Sequence, residues 1–154
     1  MPNIIADSYS HLATFHHFGL AISEFSNALK FYKNLGYQCT DVVFDPLQNV
    51  ELILCTSSSL LPAVELIKPV NEKSPIVNLL SKNNELIYHI CYELSNFDED
   101  IKKFFEGSRT ICVSNPKPSQ LFNSRLAAFY YVKDVGLIEI LERQKGFQSG
   151  NNSK

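Results

Sequence analysis

Two stretches of the chain keep step with each other. "HFGLAISEF" begins at His17 and "HICYELSNF" at His89, and each runs from a histidine through alternating residues to a Ser and then a Phe at matching offsets (Ser23 and Phe25, Ser95 and Phe97). A duplicated phrase constrains a fold more than any composition does, because both copies must adopt the same local structure and share one core. Phe18, Leu20 and Ile22 fall on one face of a strand, as do Ile90, Tyr92 and Leu94. Helix signals follow in both copies. Ser23 stands as an N-cap before the apolar stripe Phe25, Leu29, Tyr32 and Leu35, with Gly36 as a left-handed stop. Ser95 and Asp98 resemble a capping box before Phe97, Ile101, Phe104 and Phe105, with Gly107 as the stop.

Each helix is followed by three strand-like runs, roughly 38–45, 50–55 and 63–68, then 110–114, 126–132 and 137–142. Pro46, Pro62, Pro69 and Pro116 fall between or beside them, where a missing N–H is tolerated. "SPIVNLLSK" reads as a short helix starting at Ser74. The pattern predicts an α+β fold: one domain over 14–142, made of two βαβββ modules (about 14–68 and 85–142), a linker over 69–84 and a frayed tail over 143–154. A chain of 154 residues suits one such domain.

The last strand of each module holds a lone acid in apolar company, Glu65 in "VELI" and Glu139 in "LIEIL". His17 and Glu65 are 48 residues apart, and His89 and Glu139 are 50. Gly19 and Ala21 share the His17 face and Cys91 the His89 face, so both histidines point to a roomy side while the bulky side packs on the helix. Singly, each histidine reads as a hydrogen-bonded structural residue and each glutamate as a solvated one. In matched positions of two copies they form a set of two imidazoles and two carboxylates. That set suits a divalent ion such as Co, Zn, Ni, Mn or Fe, which would also offset the burial of two negative charges. His16 has the opposite parity and reads as structural, as does His11. Glu51 either projects into the same cavity or is an exposed strand carboxylate. Arg125 either meets an anionic substrate or makes a surface ion pair.

A net charge of −2 argues against nucleic acid or an anionic membrane as partner. The longest uncharged apolar run, "LAAFYYV", is far short of a span. The first fifteen residues include Asp7 and His11 and no long apolar block, so no secretory signal is expected. Cys39, Cys55, Cys91 and Cys112 are widely spaced in strand-like runs, and are expected to be reduced core thiols of a cytoplasmic protein.

These residues resemble the vicinal oxygen chelate superfamily, over about His16 to Glu142. Within it, "HHFGLAI" with "ALKFYKNLGY", "VELIKP" with "SPIVNLL", "YHICYEL" and "RLAAFYYVKDVGLIEILE" are most similar to the methylmalonyl-CoA epimerase branch. The resemblance implies two βαβββ modules curved around one metal, held by His17, Glu65, His89 and Glu139, commonly in a homodimer. It further implies an isomerase acting on an acyl thioester, CoA-linked or carrier-bound, with Glu139 and Glu51 exchanging the proton alpha to the carbonyl. Glu65 stands where that branch often has Gln and where glyoxalase I more often has Glu, so a glyoxalase I-type lyase is the nearest rival. The approach "VSNPKPSQLFNSR" lacks the usual glycines. A metal-free binding module of the bleomycin-resistance kind is the non-enzymatic alternative.

Overall fold

The computed structural model describes residues 12–144. His11, the first residues read for a signal, and the tail from 145 onward lie outside the described residues. Module one consists of β1 (Ala13–Ile22), α1 (Phe25–Asn34), β2 (Gln38–Cys39), β3 (Val43–Asp45), β4 (Val50–Thr56) and β5 (Ala63–Pro69). A short helix, α2 (Val77–Leu80), leads to module two: β6 (Glu85–Leu94), α3 (Phe97–Phe104), β7 (Thr110–Pro118), β8 (Leu126–Val132) and β9 (Gly136–Glu142). The segment expected as one strand over 38–45 is split. The Thr40 hydroxyl accepts the Leu54 N–H in place of a backbone carbonyl, and the strand resumes at Val43.

All strands form one sheet in the order β2-β4-β5-β1-β6-β9-β8-β7, with β3 paired to β4. β1 is parallel to β5, β6 is parallel to β9, and β1 meets β6 antiparallel at the centre. The two modules therefore join along the very strands that carry the repeated phrase. At this seam His17 pairs with Cys91 and Gly19 with His89, a reciprocal register that places a local twofold axis between the two histidines. Two bulges interrupt the seam. His16 is the extra residue on β1 between Phe15 and His17, and Tyr88 is the extra residue on β6 between Ile87 and His89.

The helices cover one face of the sheet. Phe25, Ala28, Leu29 and Tyr32 of α1 pack on Ile22, Ile53, Val64 and Leu66, and α3 packs Phe97, Ile101 and Phe104 on Leu94, Ala128 and Ile140. Leu35, expected in the α1 stripe, is exposed. Gly36 and Gly107 take φ values of +91° and +76°, the left-handed stops their positions required. The caps differ from expectation. Glu24 rather than Ser23 is the N-cap of α1, with no side-chain cap bond. Asn96 is the N-cap of α3, its N–H donating to Asp100 and its side-chain amide to Glu99, while the Ser95 hydroxyl accepts from Arg143. Pro116 lies inside β7, tolerated because that strand is the sheet's edge and its pairing slips between Ser114 and Lys117.

The cysteines also correct the reading. Cys39 and Cys55 face each other across β2 and β4 with Cα atoms 4.1 Å apart and join as a disulfide. Cys91 is free and buried, whereas Cys112 is free and exposed. The expectation of four separate core thiols fails because strand pairing, which spacing does not reveal, brings residues 39 and 55 together. It also removes one support for a cytoplasmic setting. No helix among the described residues is long and apolar enough to cross a membrane.

Candidate metal centre

The inner face of the sheet, opposite the helices, gathers the repeated histidines. β5 lies beside β1 with Glu65 opposite Gly19, and β9 lies beside β6 with Glu139 opposite Cys91. In both modules the acid is thus registered against the residue two places after the histidine. Gly19 is required there: a methyl group on its Cα would overlap the His89 ring. The sequence reading that small residues leave space on this face holds, and the space is filled by the other module's imidazole.

The four side chains converge. His17 Nε2 is 2.7 Å from Glu65 Oε2 and 3.2 Å from Glu139 Oε2; His89 Nε2 is 3.3 and 2.9 Å from the same two oxygens; the two nitrogens are 3.2 Å apart. All four residues are buried, with 0 to 5% exposure. Both Oε2 atoms nevertheless lack a properly directed hydrogen bond. Their lone pairs share a centre with the imidazole nitrogens instead of each meeting an N–H in line. Donors held about 2.1 Å from one ion lie roughly 3.0–3.4 Å apart, a range that holds the two cross-module His–Glu separations and the His–His one, while the His–Glu separations within each module, 2.7 and 2.9 Å, are shorter. Two nitrogens and two carboxylate oxygens, buried and mutually within 4.8 Å, are a donor set that a divalent transition metal fits.

The electrostatics agree. Burial by itself would lower both imidazole pKa values, but the adjacent carboxylates outweigh it, raising His17 and carrying His89 to about 10. Burial would raise the two carboxyls, but the imidazoles beside them prevail, and Glu65 and Glu139 are both held below their ordinary values. The cluster draws positive charge to its centre.

Beside it opens a cleft of about 230 Å³ that reaches Glu65 and Glu139 and is walled by Leu52, Tyr88, Phe129 and the β7 residues Ser114 and Lys117. Glu51 is not brought there. Its carboxylate pairs with Lys68 at 2.8 Å on the helix side of the sheet, where the Lys68 ammonium also lies over the Phe25 ring. The rule that sent the bulky face to the helix fails on β4 because both faces are apolar. Ile53 and Cys55 pack under α1, while Val50 and Leu52 join Ile67 and Ile76 in a second core. An acidic residue that does line the cleft is Asp45, buried, its carboxylate accepting the Leu47 N–H and the Gln48 side-chain amide. Asp45 carries no pattern signal, since a turn-capping aspartate before Pro46 is ordinary in a loop. Arg125 resolves to the ion-pair alternative, bonding Glu93 at 2.9 Å and the Glu142 carbonyl at 3.2 Å.

His16 is the other correction. Opposite parity was to send it to the helix face, but the bulge returns it to the His17 side, with the two Nδ1 atoms 2.7 Å apart. Burial first, then the neighbouring His17, push the His16 pKa down to about 4, so its ring is neutral at ordinary pH. His16, His17 and Cys91 also lie within ligand distance of one another. Burial and the charges of Glu139 and Glu65 keep the Cys91 thiol protonated, however, and His17 already directs Nε2 to the quartet.

A paired-module sheet with a histidine–carboxylate cluster at its seam defines the class: an α+β domain of two repeated modules whose clustered side chains could hold a metal ion. Over residues 16–129 the chain matches the model of the Glyoxalase/Bleomycin resistance protein/Dioxygenase superfamily, and it belongs to that superfamily. Among characterised relatives, it is similar to the mitochondrial methylmalonyl-CoA epimerase of Homo sapiens, with 31% identity over 104 residues. That match covers 64% of this chain and 58% of the human protein's length. It is also similar to the mitochondrial methylmalonyl-CoA epimerase of Dictyostelium discoideum, with 26% identity over 132 residues covering 83% of this chain and 77% of that protein. In three dimensions it matches the crystal structure of methylmalonyl-CoA epimerase from Mycobacterium tuberculosis with a TM-score of 0.74 at 21% identity, covering 88% of this chain and 92% of that one. At that identity the structural likeness establishes the fold alone.

Proposed function

We propose that the protein is a metal-dependent isomerase of an acyl thioester, of the methylmalonyl-CoA epimerase kind, with His17, Glu65, His89 and Glu139 as the metal ligands. The observation that carries this reading is the convergence of the four donors beside a cleft large enough for a small acyl group. The names of the human and amoebal relatives support the substrate class. A divalent ion bound there would supply the Lewis acidity that offsets negative charge on a thioester carbonyl oxygen. The chain's own residues do the rest. Epimerisation needs one group to remove the alpha proton and another to return it on the opposite face. Glu139 borders both cluster and cleft and serves as one. Asp45 takes the second role expected of Glu51, since Asp45 is among the residues that line the cleft and Glu51 is paired with Lys68 instead. Leu52, Phe129 and Tyr88 exclude water from the acyl group. A homodimer belongs to the same proposal, and sedimentation velocity checks it.

The test is incubation of cobalt-loaded protein with methylmalonyl-CoA in deuterated buffer, reading alpha-deuterium by mass spectrometry. Incorporation well above the protein-free rate is expected. A specific observation favours a second reading, a glyoxalase I-type lyase: Glu51 faces away and a carboxylate rather than an amide stands at 65. Absence of exchange, with isomerisation of the methylglyoxal–glutathione adduct, would select it.

A further inference from the structure

His16 is half-buried against His17 and is not among the residues that line the cleft, and the proposed reaction gives it nothing to do. The chain has nonetheless spent a β-bulge to put it there. Without the extra residue between Phe15 and His17, strand alternation would send consecutive side chains to opposite faces. With it, His16 Nδ1 lies 2.7 Å from His17 Nδ1. Phe122 closes the pair, stacked on the His17 ring (centroids 5.3 Å apart, planes at 27°) and edge-on to the His16 ring at 5.2 Å.

The chemistry of the pair follows from the ligand role. A neutral imidazole that offers the Nε2 lone pair to a metal holds its proton on Nδ1, and that N–H needs an acceptor when buried. The polar atom facing it is the Nδ1 of His16. Resting on the metal-site reading, we infer that His16 is a positioning residue: its Nδ1 accepts the Nδ1 proton of His17 and so fixes the tautomer and ring orientation in which His17 Nε2 ligates the ion. The second module has no counterpart. Nδ1 of His89 is buried with no hydrogen-bond partner among the described residues, and the residue bulged before it, Tyr88, lines the cleft. The two histidine ligands are thus oriented by different means, His17 by a hydrogen bond and His89 by packing against Gly19 and Phe129.

Two substitutions separate acceptor from filler. His16→Phe keeps a ring of similar size and removes the acceptor. His16→Asn loses the ring but places an amide oxygen at the same branch position as Nδ1. Co(II) affinity, measured by competition with a chelating dye, is expected to fall roughly tenfold to a hundredfold in His16→Phe, the range for losing an outer partner of a metal-bound histidine. The Co(II) visible spectrum is expected to change in His16→Phe, and both affinity and spectrum to return toward wild type in His16→Asn. A third measurement needs no variant, so the idea stays refutable even if His16→Phe does not fold. In zinc-loaded wild-type protein, long-range ¹H–¹⁵N correlations should show the His17 proton on Nδ1 with a hydrogen bond to His16. Equal Co(II) affinity in wild type and His16→Phe, equal loss in the Phe and Asn variants, or a proton on His17 Nε2 in the zinc form would each overturn the inference. Wild-type protein that binds no Co(II) would instead sink the metal-site reading, and this inference with it.

Discussion

The two modules use one device for two purposes. Each central strand bulges at the residue before its cluster histidine, which brings that residue to the inner face. On β1 the bulged residue is His16, which backs onto the cluster; on β6 it is Tyr88, which faces the cleft beside it. Duplication supplied two equal half-sites, and the bulged side chain differs between them: His16 meets the ring of its own cluster histidine, whereas Tyr88 lines the cleft. The backbone of a duplicated fold can stay symmetric while its chemistry becomes directional.

The largest expected effect tests whether the acids of the two modules are equivalent. Glu139→Gln should weaken Co(II) binding by more than about a hundredfold, beyond what losing an outer partner costs, and abolish deuterium exchange. Glu65→Gln should cost only about tenfold, because 65 is the position at which the epimerase branch that the chain resembles often carries Gln, whereas 139 is not. Equal losses would mean that the halves are interchangeable at the ion. Next comes the seam. Gly19→Ala drives a methyl into the His89 ring and should destabilise the protein by about 1–3 kcal/mol in urea unfolding. Cys91→Ala, at the matching position, only trims a buried side chain and should cost about 1 kcal/mol. The reverse order would show that the two crossings are not packed as described.

A smaller effect sharpens the contrast between the bulges. Tyr88→Phe removes one hydroxyl from the cleft wall and should slow exchange roughly threefold to tenfold, with Co(II) affinity unchanged. A loss of metal affinity there would assign Tyr88 the role inferred for His16. The smallest effect is expected on the helix side of the sheet. Glu51→Gln breaks a partly exposed pair with Lys68, worth under about 1 kcal/mol, and should leave exchange at the wild-type rate. An exchange rate reduced by a hundredfold or more would return Glu51 to the reaction.

Much of this is legible in the sequence. Period-two alternation placed Phe18, Leu20 and Ile22 under α1 and Ile90, Tyr92 and Leu94 under α3, because a half-buried strand must alternate. The same parity read Glu51 and His16 wrongly, for two separate reasons. On β4 both faces are buried, so apolarity no longer tells inside from outside. On β1 a bulge resets the count by one residue, and a bulge depends on the partner strand rather than on local composition. The Cys39–Cys55 pair was invisible for a related reason, since pairing between β2 and β4 brings the two together, while Asp45 reads as an ordinary turn-capping aspartate until the fold sets it beside the cleft.

What the sequence determined by itself was the duplication, the helix on each copy, and two His/Glu pairs at matching distances. Those follow from local periodicity and from one copy echoing the other. Only the tertiary structure decided that β1 and β6 cross as reciprocal partners, so that four donors share one centre, and that the residue before each histidine turns inward. The physical reason is that register along the seam is set by long-range hydrogen bonding between strands far apart in the chain, and a single inserted residue there changes which side chains meet.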